Sequence, residues 1–565
     1  MKNKEISDIL YEIADYLEMQ DVEWKPRAYR RAARNIEALS EDIVYIYERG
    51  ELEEIDGVGE NIADKISEYL ETGEIEYYKK LKKDLPVDIE ALTAVEGLGP
   101  KKSKKLYMAL GISDLDELEE AAREGKIAEV EGFGEKSQEK ILDHIDMARQ
   151  GQERMLLGKA FPIAEDIKSE LEGSGEFDRV TIVGSFRRRR PTVGDIDILA
   201  TADDPEKAME MFTSGDDVKE VLVHGDTKSS IIISGDLQVD LRIVEKEQYG
   251  AALQYFTGSK DHNVKLRSIA LEKDWKLNEY GLFDAEENIL AGETEEGIYA
   301  KFDLDYIEPE LREDTGEVEA AGKGELPELV EPEDIKGDLQ MHTNYSDGRN
   351  SVSEMAEKAD EKGYEYILVT DHGPALQIAG GVSKEEFKDQ KEEIKEANEN
   401  YDVEILQGVE ANITKDGELD ISREECGEFD LVVISLHNKI EAPTEKIISV
   451  MEKYPVDILA HPQNRMINER EPLDLEMDKI VDTAKKQRVA IEINSQPSRL
   501  DLDWSNVKEY REEVMYVIST DAHGPSEMDY MHLGVSQARR GWCESSNILN
   551  TRKLDKLLDY LGKGG

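Results

Sequence analysis

Positive charge is scarce in this chain. Its 565 residues hold 71 Lys and Arg against 128 Asp and Glu, a formal net charge of −57. Phosphate binding needs cations, so at face value this balance argues against nucleic acid as a partner. The competing reading is a whole surface adapted to a salty cytoplasm, where the Debye length falls to a few Å and self-repulsion is screened. Local basic patches then still act at contact distance, and this second reading is the one we expect. Cysteine is scarcer still: Cys426 and Cys543 exclude a disulfide scaffold and fit a reducing cytoplasm. No window holds the roughly 18 consecutive apolar residues that a membrane helix needs. The opening MKNKEISDILYEIADYL is amphipathic and acidic, unlike a signal peptide. Hydrophobic residues are few, 39%, but spread along the whole chain, which excludes wholesale disorder. The length suggests about three to five domains.

Residues 1–50 read as amphipathic helices, with Ile6, Ile9, Leu10, Ile13 and Leu17 at helical spacing. A motif then occurs three times, as IDGVGENIADKI from Ile55, VEGLGPKKSKKL from Val95 and VEGFGEKSQEKI from Val130. The period is roughly 35–40 residues. Each copy runs apolar-x-Gly-apolar-Gly into a polar helix start, and the glycine pairs are Gly57/Gly59, Gly97/Gly99 and Gly132/Gly134. Such pairs let the backbone turn tightly and approach another backbone. The helix that follows offers free N–H groups and its positive dipole end. One copy is equally well read as an ordinary glycine-capped turn. Three copies favour a sequence-independent phosphate cradle, and the motif resembles the helix-hairpin-helix of DNA repair proteins.

Residues 151–310 carry short β-type runs (RVTIVGS, DIDILA, VKEVLVH, SSIIISG, LQVDLRIV) between helices, the pattern of an α+β domain. Residues 313–334 are acidic, contain Gly and Pro and lack periodicity, which reads as a linker. From Ile335 onward six apolar runs alternate with helical segments: YILVTDH, EILQGVE, LVVISLH, VDILAH, VAIEIN and VMYVIST. That alternation predicts an α/β barrel or a related wound sheet. Each run ends on a polar or ionisable residue, at the edge where barrels carry their active sites.

Within GSFRRRRPTVGDIDILA, residues 184–200, Asp195 and Asp197 stand at i and i+2 on an expected strand, so both carboxylates share a face. That pair suits Mg²⁺, whose remaining ligands are substrate phosphates. Asp240, in LQVDLRIV, is a third candidate, and three converging carboxylates can hold the two metals of in-line phosphoryl transfer. The Gly184-Ser185 turn supplies donors for a triphosphate, and Arg187 and Arg188 supply charge. An isolated Asp-x-Asp is usually a solvated strand end. The upstream Gly-Ser turn and a run of four arginines in so acidic a chain remove that reading.

Together with YFTGSKDHNVKLR (255–267), KLNEYGLF and DYIEPELRE, this signature resembles that of the family X DNA polymerases, over roughly residues 1–315. The resemblance implies a gap-filling polymerase acting on gapped or primer-template DNA and deoxynucleoside triphosphates. Asp195, Asp197 and Asp240 become its catalytic triad for Mg²⁺ or Mn²⁺, with Asp240 nearest the primer 3′-OH. Gly184, Ser185, Arg188, Gly194 and Gly258 are implied in nucleotide binding. Tyr255 and Phe256 are implied beside the sugar, and Asn263 and Arg267 at the minor-groove edge of the nascent pair. The chain departs from the family at Arg189, where glycine is usual, which adds charge near the triphosphate. It departs again at Gln238, where an arginine often stands two residues before the third Asp. Lys65, in the first glycine repeat, occupies the place of the Schiff-base nucleophile of members with deoxyribose-phosphate lyase activity. Such a lysine needs a lowered pKa, for which Arg30, Arg31 and Arg34 are candidate neighbours, whereas Asn61 replaces a usual basic residue. The alternative is an exposed helix lysine.

Histidine is rare, nine in all, yet six follow residue 340: His342, His372, His437, His461, His523 and His532. Five end β-type runs or sit in short Asp/His motifs, a placement that scattered surface histidines would not show. Histidines with bridging Glu and Asp suit Zn²⁺, Mn²⁺ or Fe²⁺ better than Mg²⁺, and a multi-metal cluster activates water and clamps phosphate. The motifs DLQMHTNYSDG, VTDHG, GVEANI, SLHN, AHPQNR and STDAH resemble the PHP phosphoesterases over residues 335–565. The ligand set so implied is His342, Asp347, His372, Glu410, His437, His461, Asp521 and His523, with Glu410 bridging. Gln340 stands where the family opens with histidine, a weaker ligand that puts one metal position in doubt. Arg465 and Arg499 are candidate phosphate contacts, with surface ion pairing as the alternative.

The expected architecture is multidomain: helix-hairpin-helix N-terminal domains, an α+β nucleotidyltransferase palm and thumb, and a C-terminal α/β PHP barrel. The expected boundaries are a lyase-like helical domain 1–85, fingers 86–150, palm 151–260, thumb 261–315, linker 316–334 and PHP domain 335–565. The resemblance implies DNA repair polymerisation joined to a 3′-5′ exonuclease, with apurinic endonuclease or 3′-phosphatase activity as extensions. A cytoplasmic monomer away from membranes is expected. A DNA-binding scaffold and a histidinol-phosphatase-like metabolic enzyme are the rival classes. The intact acidic triad argues against the first and the intact YFTGS segment against the second.

Overall fold

The structure, a computed structural model, describes residues 2–563 apart from 21, 23–24, 38–42, 56, 96–97, 131, 135–136, 139–140, 143–153, 236, 377–378 and 438–439. The chain divides into two compact units, described separately. One holds residues 1–154, 213–240 and 260–277, the other residues 155–212, 241–259 and 278–565.

In the first unit, helix Lys2–Met19 turns Ile6, Leu10, Ile13 and Leu17 into a core shared with Lys25–Glu37, as the spacing of its apolar residues requires. The glycine repeats share one geometry. A turn closes from Val58 N to Ile55 O at 2.9 Å, from Leu98 N to Val95 O at 3.0 Å and from Phe133 N to Val130 O at 2.9 Å. Helices then start after Gly59 and Gly99, at Glu60–Thr72 and Pro100–Leu110. In the third copy Ser137 N and Gln138 N bond back to Gly134 O at 2.8 and 3.0 Å, although part of the segment after Gly134 lies outside the described residues. Gly57 has φ +85° and lies so close to Arg31 that a Cβ would meet its Cγ at 2.9 Å, so both properties of glycine are used there. Gly132 likewise has φ +94°. Among the described residues, the second glycine of each pair meets no other part of the chain: a Cβ on Gly59, Gly99 or Gly134 would meet nothing within 4 Å, and none of the three has a left-handed φ. Gly134 is exposed, so the fold itself does not require glycine at this position. Gly97 lies outside the described residues. The hairpin Val218–His224/Lys228–Ile233 also belongs to this unit.

The second unit opens with helix Leu157–Ser174 and the antiparallel strands Arg179–Ile182 and Ile196–Thr201, paired Thr181 to Leu199. Helix Tyr249–Thr257 packs Tyr249 and Ala252 against Val183 and Leu199. Seven parallel strands follow in chain order: β1 (Gly337–Met341), β2 (Tyr366–Val369), β3 (Glu404–Asn412), β4 (Leu431–Ser435), β5 (Ile458–Leu459), β6 (Ala490–Asn494) and β7 (Tyr516–Ser519). The last six are the six apolar runs of the sequence. β1 is an addition, hidden because Asp338 and Gln340 are fully buried polar residues. The ends of β1 and β7 meet through Asp521 N to Gln340 O at 3.0 Å and His342 N to Ala522 O at 2.8 Å, nearly closing a barrel. Leu339, Leu368, Leu406, Val433 and Val517 fill one core, capped by Leu557 and Leu561. Val369, Ile405, Ile434, Ile491 and Ile518 fill another with the surrounding helices. Burial on both faces explains why the runs read as continuously apolar.

Residues 316–334 are not the irregular linker that their composition suggests. They form helix Glu317–Lys323 and a turn at Pro332–Asp334, and Val330 joins the barrel core. The apolar anchors are too few to give periodicity. Glu317 is fully buried, and its carboxylate accepts from the backbone N–H of Asp314 and Thr315 at 3.0 and 2.7 Å. Charged burial of this kind is invisible to a composition argument.

Candidate functional site

The C-terminal ends of the barrel strands carry the histidine cluster. His342 follows β1, His372 follows β2, Glu410 lies in β3, His437 follows β4, His461 follows β5, and Asp521 and His523 follow β7. Glu410 sits at the centre. Its Oε1 faces the Nε2 atoms of His437 and His461 at 3.2 Å each, and its Oε2 faces His342 Nε2 at 3.3 Å and His372 Nδ1 at 3.4 Å. Asp521 Oδ1 lies 3.2 Å from His342 Nε2. Asp347 faces His372 Nε2 and His523 Nε2, each at 3.4 Å. All eight residues of the expected set thus converge. His532, the sixth late histidine, lies instead against Phe161, with ring centroids 4.5 Å apart.

This donor set fits a metal cluster. Both ring nitrogens of His342, His372 Nδ1 and His461 Nδ1 are buried with no hydrogen-bond partner, an unfavourable arrangement that coordination would relieve. Three overlapping groups bring their ligand atoms within 4.8 Å of one another: His342, Asp347, His372 and His523; His372, Glu410 and His437; and His342, Glu410 and Asp521. Burial disfavours charge on His342, yet Asp521 and Glu410 hold its pKa well above the ordinary value. Burial likewise opposes ionisation of Glu410, but His372 and His437 hold its carboxyl well below its usual range. A dication answers the same field as these protons. His461 and Asp521 have φ of +25° and +53°, a conformation uncommon for such residues and found at constrained sites.

Gln340 is fully buried and donates from Nε2 to Glu410 Oε2 at 3.1 Å, while its Oε1 has no partner. Residues unmarked by the sequence reading position the ligands. Asp371 accepts from Thr343 N at 2.8 Å and from Ser346 N at 3.2 Å, fixing the loop that carries Asp347. Glu492 accepts from His461 N at 2.7 Å, and Asn494 Nδ2 donates to Asp521 Oδ2 at 3.1 Å. The only sequence signal for Glu492 and Asn494 is a pair of polar residues alternating in an otherwise apolar strand. Arg465 is committed to Asp503 at 2.7 Å and to the Arg499 carbonyl at 2.8 Å, a structural role. Arg499 lies 3.9 Å from Asp521, at the edge of the cluster.

At the other candidate site, Asp195 immediately precedes strand Ile196–Thr201, and Asp197 follows two residues on. Both are half-buried, and the alternation of the strand gives them one face. Gly184 has φ +64°, and a Cβ on it would collide with the Asp197 carboxylate. Asp240, in the other unit, accepts from Gln238 Nε2 at 2.8 Å and has Lys228 Nζ at 3.5 Å. Gln238 is therefore a neutral donor to this carboxylate. Arg188 is paired with Glu313 at 3.3 Å.

Two arginine expectations need correction. Arg187 does not present its charge to a triphosphate: it meets Glu295 through both Nη atoms, at 2.9 and 2.6 Å. Arg189 (φ +54°) stacks on Phe161 and Phe186, 5.0 and 5.6 Å from their ring centroids. In an acidic chain the buried carboxylate and the aromatic pocket capture the guanidinium groups.

Tyr255 and Phe256 meet edge to face at 5.1 Å, and the Arg242 guanidinium covers Phe256 at 4.6 Å. Asn263 is buried, Arg267 half-buried, Ser185 lies in the short helix Gly184–Arg187, and Gly194 lies in the bend beside Asp195. Lys65 donates to Asn61 Oδ1 at 2.6 Å and lies 4.9 Å from the Tyr77 ring centroid. Burial lowers its pKa; Asp64 and Glu68 oppose this, and Lys25, not an arginine, is the cation that assists.

Family models match along the chain: a helix-hairpin-helix domain at 1–75, a SAM-like helix-hairpin-helix tandem at 89–146, a DNA polymerase beta thumb at 252–313 and a PHP domain at 338–496. The chain is 38% identical over 575 residues to the "DNA polymerase/3′-5′ exonuclease PolX" of Bacillus subtilis (strain 168), covering 99% of each. It is 23% identical to DNA polymerase lambda of Rattus norvegicus, covering 55% of this chain and 56% of that protein. A probable phosphatase of Acetivibrio thermocellus is 35% identical over 201 residues, 33% of this chain and 78% of that protein.

Proposed function

Because the chain belongs to the PolX family of DNA polymerase/3′-5′ exonucleases, we propose that it fills short gaps in DNA and trims 3′ ends at a second, metal-dependent centre. The observation that carries the exonuclease half is the convergence of five histidines and three carboxylates at one end of the barrel. Bound metals would polarise the phosphate and acidify water there. The protein's part is orientation. His437 Nδ1 meets Ser435 Oγ at 3.1 Å, and His523 Nδ1 meets the Asp521 carbonyl at 2.8 Å, so each ring presents Nε2 to the cluster. Mn²⁺, Zn²⁺ or Fe²⁺ suits these nitrogens, and Mg²⁺ or Mn²⁺ the carboxylates of the polymerase triad Asp195, Asp197 and Asp240. Arg188, Ser185 and Gly194 are assigned to the triphosphate. The open space over Gly59, Gly99 and Gly134 is assigned to the DNA backbone, which a side chain there would hold off. Primer extension and 3′ digestion on gapped DNA, each titrated with metal, test the pair of activities. A preparation that does neither would end this reading.

The relationship to a probable phosphatase favours 3′-phosphate removal by the same centre. Phosphate release from a 3′-phosphorylated oligonucleotide checks it. Lyase activity is assigned to Lys65. Borohydride should trap the protein on a deoxyribose-phosphate end, and Lys65→Ala should abolish the adduct; an undiminished adduct would move the nucleophile elsewhere.

The net charge of −57 is read as adaptation to a salty cytoplasm. Self-repulsion weakens as salt screens it, so the melting temperature should rise by several degrees from dilute buffer to molar KCl. A flat series would remove this reading. No helix among the described residues is long and apolar enough to cross a membrane.

A further inference from the structure

Glu313 lies in a knot of arginines drawn from two distant stretches of chain. Its Oε1 is 3.3 Å from Arg188 Nε and 3.1 Å from Arg540 Nη1, and its Oε2 is 3.3 Å from Arg190 Nη1. Arg540 also donates from Nη1 to the Arg188 carbonyl at 2.7 Å, across 352 residues of sequence. Arg540 ends helix Met531–Arg540, which packs against β6 and β7, is 1% exposed and faces the Trp504 ring at 4.9 Å. Arg188 Nη1 is held by the Thr257 carbonyl.

Three guanidinium groups therefore share one nearly buried carboxylate: Arg188 and Arg540 meet it away from water, where ion pairing is strong, and Arg190 meets it from the exposed side. Burial pushes the Glu313 carboxyl up, and Arg540, ahead of Arg188 and Arg190, brings it below its ordinary range. Glu313 is an internal competitor for any anion that Arg188 is to bind. Arg540 and Arg188 share Oε1, so Arg540 weakens that competition and also anchors the Arg188 backbone.

We propose that Arg540, a residue of the exonuclease domain, is a positioning residue for the polymerase: it satisfies Glu313 and fixes Arg188 so that Arg188 can engage the incoming triphosphate. The inference rests on the assignment of Arg188 above. It assigns part of the nucleotide affinity of one domain to a side chain of the other.

A double-mutant cycle on the full chain tests it. Arg540→Met should raise the KM for deoxynucleotide about tenfold, the order expected for a charge-assisted contact, with kcat and exonuclease activity little changed. Glu313→Gln should not raise KM. The double variant should recover most but not all of the lost affinity, because the competitor is gone while the anchor on the Arg188 carbonyl stays lost. A purely structural ion knot predicts the opposite, with damage that adds and both activities falling together. If Arg540→Met does not fold, Arg540→Lys keeps the charge without the fork and should raise KM about threefold. The inference is overturned by an unchanged KM in the folded single variant, by a double variant as weak as Arg540→Met, or by parallel loss of both activities. Arg188→Ala separates the two layers. An unchanged KM there removes the assignment of Arg188 and this inference with it. A raised KM there beside an unchanged one in Arg540→Met removes this inference alone.

Discussion

Glutamine in place of Glu410 should reduce exonuclease activity by at least about 10³-fold and leave primer extension at the wild-type rate. One carboxylate meets four imidazoles at 3.2 to 3.4 Å. The amide has nearly the same shape, but it removes the negative charge and turns one acceptor into a donor. Metal clamping contributes several kcal/mol to phosphoryl chemistry, and each 1.36 kcal/mol is tenfold in rate. Digestion of a 3′-labelled strand under titrated Mn²⁺, with metal content measured alongside, checks the result. Wild-type digestion by this variant would refute the bridging role. Gln340→His supplies the contrast. Gln340 Oε1 has no partner in its buried place, so an imidazole there should tighten one metal position and lower the Mn²⁺ requirement. Unchanged metal content and an unchanged requirement would put Gln340 outside the ligand shell.

The reciprocal result is expected from Asp195→Ala or Asp197→Ala: nucleotide insertion should fall by three or more orders of magnitude, by the same arithmetic, while digestion of 3′ ends continues. The two carboxylates share a strand face, and neither has a neighbour in sequence to replace it. Gly184 makes the geometry unforgiving, since its left-handed φ and the nearby Asp197 carboxylate both exclude a Cβ. Single-turnover filling of a one-nucleotide gap measures the loss, and digestion by the same preparation controls for folding. Insertion within tenfold of the wild type in either variant would mean that the metals sit elsewhere.

Legibility in the sequence followed the physics of each residue. The strands LVVIS and AIEIN could be read because burial on both faces leaves a continuous apolar run. GDLQM could not, because Asp338 and Gln340 occupy its interior and look like a loop. The ligands stood out because histidine is rare in this chain, whereas Glu492 and Asp371 did not, because one more carboxylate among 128 acidic residues carries no signal. The glycine pairs were legible as a repeat, but not the difference within each pair: Gly57 is held by its φ and by Arg31, whereas Gly59 and Gly134 face open space. The four arginines were legible as charge but not in their destinations. Which guanidinium meets Glu295, which stacks on Phe161 and which pairs with Glu313 is decided by tertiary packing. Glu313 and Glu317 hid the folded nature of the segment read as a linker for the same reason.

The closure of the barrel sets an order of events during synthesis. His342 and Gln340 emerge from the ribosome early in the last domain, but they join Asp521 and Ala522 only after strands β2 to β7 have been made. Until then the nascent protein lacks Asp521 and His523, two of the eight residues that converge at the candidate metal centre, and by the proposed function should not degrade DNA. The polymerase motifs are complete about two hundred residues earlier. If Arg540 tunes Arg188 as inferred, full nucleotide affinity also waits for that final stretch. Synthesis and degradation of DNA would then become competent together, once the stretch from Asp521 to Arg540 has been made, and a chain truncated before that stretch would be poor at both.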